Sequence, residues 1–199
     1  MISESRKIPA KEILKSIYYV IIALAITESL KNTFEIIKTP ERFLANFFLF
    51  FGFMGTLVRY VLGAIIHFEK DIKIKIKRKI IIDFIFLYFQ SGLFYLLAIS
   101  LNEFQKFLGF FLILLTFDAL WFIVLRIFDV IKLKQTYMQW LISDVILGGC
   151  AIIFLSLLVD YGSLEATFSI IYAICLLFFT VCDFWINYKY FFGQIMTLN

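Results

Sequence analysis

Four aspartates, two arginines, a histidine and an asparagine stand inside or at the edge of long apolar stretches: Asp83, Asp118, Asp144 and Asp183; Arg59 and Arg126; His67; and Asn187. An acid at the centre of a spanning helix costs about 2.5–3.5 kcal/mol on the insertion scale, while each Leu, Ile, Phe or Val returns only about 0.3–0.6 kcal/mol. The stretch around Asp118 is rich enough in such residues to insert, yet the carboxyl still needs a partner or water. The chemistry open to this set is ion pairing, proton sensitivity or the lining of a polar path. An intramembrane acid serves function or structural pairing, and residue type alone does not choose.

Spacing adds detail. Asp118, Phe122 and Arg126 follow each other at i, i+4, as do Asp183 and Asn187. Gly55, Arg59, Gly63 and His67 recur at successive fours on one helix face. The two glycines permit close approach of another helix, and the polar pair lines the same seam, as a buried helix contact or a pore-lining stripe. A histidine near an interface can titrate close to neutral pH or serve as a hydrogen-bonder there. Thr116-Phe117-Asp118-Ala119-Leu120-Trp121 is echoed by Thr180-Val181-Cys182-Asp183-Phe184-Trp185, and Ile82-Asp83-Phe84 by Ser143-Asp144-Val145. Two successive hairpins would thus each open on an aspartate and carry a Thr…Asp…Trp cluster in the second helix. Such copies are parallel repeats about an axis along the membrane normal.

The elements that must position these residues follow from composition. Of the 199 residues 62% are hydrophobic and 17% charged, with mean hydropathy +0.93; a soluble domain is roughly half apolar and a quarter charged. Twenty-six Phe and ten Tyr exceed what one soluble core of this size can bury, so lipid must solvate much of the surface. A spanning helix needs about 20 mainly apolar residues. Six stretches qualify: Ile13–Leu30, Phe43–His67, Ile80–Leu101, Phe107–Ile131, Trp140–Val159 and Phe168–Phe192. The expected fold is all-α, a polytopic bundle of six spans arranged as three antiparallel hairpins in one membrane domain. Thr39-Pro40-Glu41 is a helix start; Asn102-Glu103 and Tyr161-Gly162-Ser163 are tight turns.

Basic residues orient the bundle. Arg6, Lys7, Lys11, Lys15, the 68–79 loop, Lys132, Lys134 and Lys189 fall on one side, against Lys31, Lys38, Arg42 and Lys106 on the other. The positive-inside rule places both termini and the 68–79 loop in the cytoplasm, in what is read as the plasma membrane. Ala23-Leu24-Ala25 has the small-x-small form of a cleavage site, but the apolar run before it is short and the stretch continues past it, so it is read as a span. Asp71-Ile72-Lys73-Ile74-Lys75-Ile76-Lys77 alternates apolar and basic residues, which suits an edge strand or an extended segment on the bilayer. Lys73, Lys75, Lys77, Arg78 and Lys79 are the candidates for binding anionic phospholipid or a soluble cytoplasmic partner, each lysine near anionic lipid contributing about 1 kcal/mol. Nucleic acid is disfavoured because no stacking aromatics interleave the run.

Cys150, Cys175 and Cys182 lie within apolar segments, as inert buried thiols do. His67 is the one histidine. No metal site or cofactor is expected, and no nucleophile–base pair marks a catalytic residue or an enzyme. Ser91-Gly92 lacks the first glycine of a Gly-x-Ser-Gly intramembrane protease turn, neither Asp118 nor Asp183 stands in Gly-x-Gly-Asp, and potassium-filter and water-channel motifs are absent. The expectation is a channel- or transporter-like protein, homo-oligomeric, giving an ion or small solute a cytoplasm-facing path. The alternative is a scaffold or regulatory subunit that docks its partner through the Lys/Ile loop.

Overall fold

The computed structural model describes residues 10–35, 40–70, 77–127 and 135–187. These form six α-helices: α1 (Ala10–Glu35), α2 (Pro40–Lys70), α3 (Lys77–Ile99), α4 (Phe104–Ile127), α5 (Gln135–Asp160) and α6 (Glu165–Ile186), with a 3-10 turn at Gly162–Leu164 before the last. No strand occurs among the described residues. α2, α4, α5 and α6 are long and apolar enough to cross a membrane, which marks an integral membrane protein. The apolar run of α3 is the shorter Phe84–Ile99. In α1 the uncharged stretch is Ser16–Thr27, about 18 Å at 1.5 Å per residue, against a hydrocarbon core of about 30 Å.

The helices extend beyond several apolar runs because a backbone hydrogen-bond ladder does not stop where hydrocarbon does. α2 continues to Lys70 and α3 begins at Lys77, so Lys77, Arg78 and Lys79 occupy its first turn, while Lys73 and Lys75 lie outside the described residues. Helix ends with free carbonyls need partners. At the end of α3, Ser100 Oγ donates to Leu96 O at 2.8 Å and its backbone N–H to Leu97 O at 3.1 Å. Glu103 N–H then closes on Ser100 O, and Phe107 N–H on Glu103 O, turning the chain into α4 within four residues.

The tightest seam joins α2 to α6, which run parallel in constant register. Arg42 lies beside Glu165, Gly52 beside Ala173, Gly55 beside Thr180 and Arg59 beside Asp183. A Cβ at Gly52 would stand 3.2 Å from both the Cα and the carbonyl oxygen of Ala173, so the helices meet backbone to backbone, as small residues allow. α1 lies mainly along α3, again parallel, joined by Asn32 Nδ2 donating to Ala98 O at 3.0 Å. α4 runs antiparallel to α3 (Phe86 against Trp121, Gln90 against Asp118) and to α5 (Gly148 against Leu115, Trp140 against Phe122). Phe53, Phe94, Phe107, Phe111 and Tyr172 fill the interior. Outward faces are equally apolar: Val145, Ile153, Val159, Phe178 and Trp185 are exposed. That is the distribution of a surface solvated by lipid, since water would penalise so contiguous an apolar exterior.

Candidate functional site

At the end where α2 and α6 finish, the bundle interior is charged. Arg59 sits on α2 between two glycines that clear its way. A Cβ at Gly55 would touch Leu177 and Thr180 at 3.3 and 3.4 Å, and one at Gly63 would come within 2.5 Å of the Trp140 ring. α6 and the indole of α5 can therefore close on either side of the arginine. Its Nε donates to Asp183 Oδ2 at 2.8 Å and its Nη1 to Asp144 Oδ1 at 3.2 Å, all three side chains at 5% exposure or less. The guanidinium carbon lies 5.5 Å from the Tyr60 ring centre and 5.8 Å from that of Trp140, so aromatic faces cover the charge where it makes no hydrogen bond.

The remaining members complete a ring. Asp183 Oδ1 accepts from Asn187 Nδ2 at 2.7 Å, one turn further along α6. Asp118 on α4 accepts from Gln90 Nε2 of α3 at 3.3 Å, and its carboxyl neighbours that of Asp144 and the Tyr60 hydroxyl. Tyr18 of α1 is within electrostatic reach of Asp118 and Tyr60. Each of the six helices thus supplies a polar group to one buried locus. Beyond the neighbouring Asp118 carboxyl, no polar group among the described residues serves Asp144 Oδ2 or the Tyr60 hydroxyl, and the Tyr18 hydroxyl has no hydrogen-bond partner there.

Charge decides what this locus can do. One guanidinium faces three carboxyls, so full ionisation leaves excess negative charge in a medium where each unpaired ion costs several kcal/mol. Two ionised carboxylates are both acceptors and cannot bond to each other. A proton on either Asp118 or Asp144 turns their contact into a hydrogen bond and supplies a partner for an orphaned oxygen. Among the described residues no group of three His, Cys, Asp or Glu side chains is placed to hold a metal ion; Arg59 occupies the space between Asp144 and Asp183.

Of the residues singled out by sequence, Arg59, Asp118, Asp144, Asp183 and Asn187 come together. Arg126 does not. It is exposed in the last turn of α4, because two i, i+4 steps rotate about 80° around a helix of 3.6 residues per turn and carry it away from Asp118. Asp144 stands well inside α5 and not near its start, since the helix begins at Gln135. His67 and Asp83 fall on α2 and α3, and Lys77, Arg78 and Lys79 on α3; the side chains of all five lie outside the described residues, as do Lys73 and Lys75 entirely. Sequence reasoning missed Gln90, Tyr60 and Tyr18. Gln90 had a signal, an amide amid the apolar run Phe84–Ile99; the tyrosines had none, because nothing local separates a buried tyrosine from an interfacial one. No protein-family model, curated protein or solved structure matches the chain.

Proposed function

We propose that the chain is a small polytopic membrane protein giving an ion or small solute a cytoplasm-facing path, with the Arg59, Asp118, Asp144 and Asp183 cluster as its proton-responsive centre. The observation that carries this reading is one guanidinium bonded to two buried carboxyls with a third, Asp118, set against Asp144, whose Oδ2 has no donor other than that neighbouring carboxyl. When a proton bridges Asp118 and Asp144, the cluster holds a single excess negative charge instead of two, and the helices can stay packed around it. Loss of that proton leaves an unpaired carboxylate, which draws in water or a cation and favours opening of the bundle at this end. Release or uptake of a proton is thereby linked to access.

In this reading all six helices span the plasma membrane as three hairpins, with both termini in the cytoplasm. The last two hairpins are parallel repeats in which Asp144 and Asp183 correspond to Asp83 and Asp118, and the protein works as a homo-oligomer. Purified protein in liposomes carrying a pH-sensitive dye tests the path: a proton, sodium or potassium gradient should drive a flux that Asp118→Asn alters. Folded protein that passes nothing under any of the three gradients would remove the basis of the proposal.

A second reading has its own support. Arg59 bridges α5 and α6 directly, at the distances of a structural staple. A scaffold or regulatory subunit would need no more, and would recruit anionic phospholipid or a soluble partner through Lys73, Lys75 and Lys77. Neutralising those three lysines should then abolish vesicle or partner binding without unfolding the bundle; unchanged binding sinks that reading.

A further inference from the structure

The opposite end of the α2–α6 seam carries a shallow, half-open depression that the charged cluster does not use. It is lined by the opening turns of three helices, with Arg42 and Asn46 from α2, Phe104 from α4, and Glu165 and Ser169 from α6, together with Asn102 of the α3–α4 turn. Ser169 is 2% exposed, yet its hydroxyl has no hydrogen-bond partner among the described residues, and neither has Asn102 Oδ1. Buried polar atoms are nearly always satisfied, and the described residues supply neither of these two with a partner. Arg42 Nη2 and Glu165 Oε2 face each other at 3.6 Å, at side-chain exposures of 61% and 32%. That is longer than the 2.7–2.9 Å or so of a tight charge-assisted bond, and the pair is free to open around a ligand.

We propose that this depression binds a small head group bearing both a primary ammonium and an anion. An ammonium has three N–H donors, and three acceptors are available: Asn102 Oδ1, Ser169 Oγ and the Glu165 carboxylate. The anion lies toward Arg42 and the Asn46 amide, where three helix N-termini converge with their positive dipole ends. A trimethylated ammonium fits the charge but offers no N–H, so the two orphaned oxygens discriminate against it. The site opens at the helix ends, where such a group could come from an ethanolamine phospholipid or from a free amino acid. The inference is independent of whether the charged cluster carries protons.

The test uses full-length protein in phosphatidylcholine nanodiscs. Phosphatidylethanolamine incorporated in the discs forms one arm, and glycine or phosphoethanolamine in solution the other; thermal stabilisation is the readout, with betaine and pure phosphatidylcholine as trimethylated controls. Saturable stabilisation by the primary-ammonium ligand of either arm, at least tenfold weaker in Ser169→Ala and in Arg42→Gln, is the expected result, and the responding arm identifies the source. Arg42 is at the exposed rim and Ser169→Ala removes only a hydroxyl, so both variants should fold. Equal stabilisation by trimethylated ligands, no stabilisation in either arm, or unchanged stabilisation of Ser169→Ala each overturns the proposal.

Discussion

Substituting Arg59 by leucine and Asp118 by asparagine should move stability in opposite directions, and the contrast tests the charge balance of the buried cluster. Arg59→Leu strips Asp183 of its 2.8 Å bond and Asp144 of its 3.2 Å bond, leaving carboxyls whose side chains are only 2% exposed. Removing one partner of a buried pair typically costs about 3–5 kcal/mol. Because two pairs are broken at once, the upper part of that range is expected. Asp118→Asn deletes a carboxyl that has no arginine of its own and can keep a hydrogen bond with Gln90. It also relieves the like-charge contact with Asp144 and lets an amide N–H serve the orphaned Asp144 Oδ2. It should be neutral or stabilising by up to about 1 kcal/mol, the net worth of an ordinary hydrogen bond. Reversible unfolding in mixed micelles, followed by helical circular dichroism, measures both. Adding Asp144→Asn and Asp183→Asn to Arg59→Leu should recover most of the loss, since a pair removed whole costs far less than a pair broken. If Asp118→Asn destabilises as much as Arg59→Leu, the three carboxyls are not in excess and the reasoning fails.

Other positions give independent checks. Gly63→Leu must displace the Trp140 ring, which a Cβ alone would meet at 2.5 Å; overpacking of this kind costs about 1–3 kcal/mol and should shift tryptophan emission, so an unmoved spectrum would contradict the packing of Trp140 over Arg59. Gly109→Ala is the control: nothing lies within 4 Å of its added Cβ, and alanine in a helix should gain up to about 1 kcal/mol. Asn32→Ala removes the 3.0 Å bond to Ala98 O and should cost about 0.5–1.5 kcal/mol, read as faster hydrogen exchange confined to the ends of α1 and α3; uniform protection would show that the bond does not hold α1 in place.

Helical class and membrane character were legible along the chain because both depend on local quantities, apolar content and length. Pro40 and the turns at Asn102-Glu103 and Tyr161-Gly162-Ser163 marked helix limits for the same reason. Most of the cluster was legible too, since an aspartate or arginine in an apolar run stands out wherever its helix later packs. Partner choice was another matter. Arg126 has the sequence spacing of a partner for Asp118, yet it points outward, whereas Arg59, remote in the chain, reaches two other acids.

What the sequence determined by itself was which residues could not be left alone in hydrocarbon, and on which stretches of helix they ride. Only the tertiary structure decided how they are grouped: one guanidinium between Asp144 and Asp183, Asp118 set against Gln90, and Tyr60 and Tyr18 turned inward. The physical reason lies in the glycines of α2. Their missing side chains let α6 and Trp140 close to contact at Gly52, Gly55 and Gly63, and that approach sets the rotation and register of the helices. A local hydrophobic pattern specifies neither, because lipid solvates an apolar face as well as another helix does.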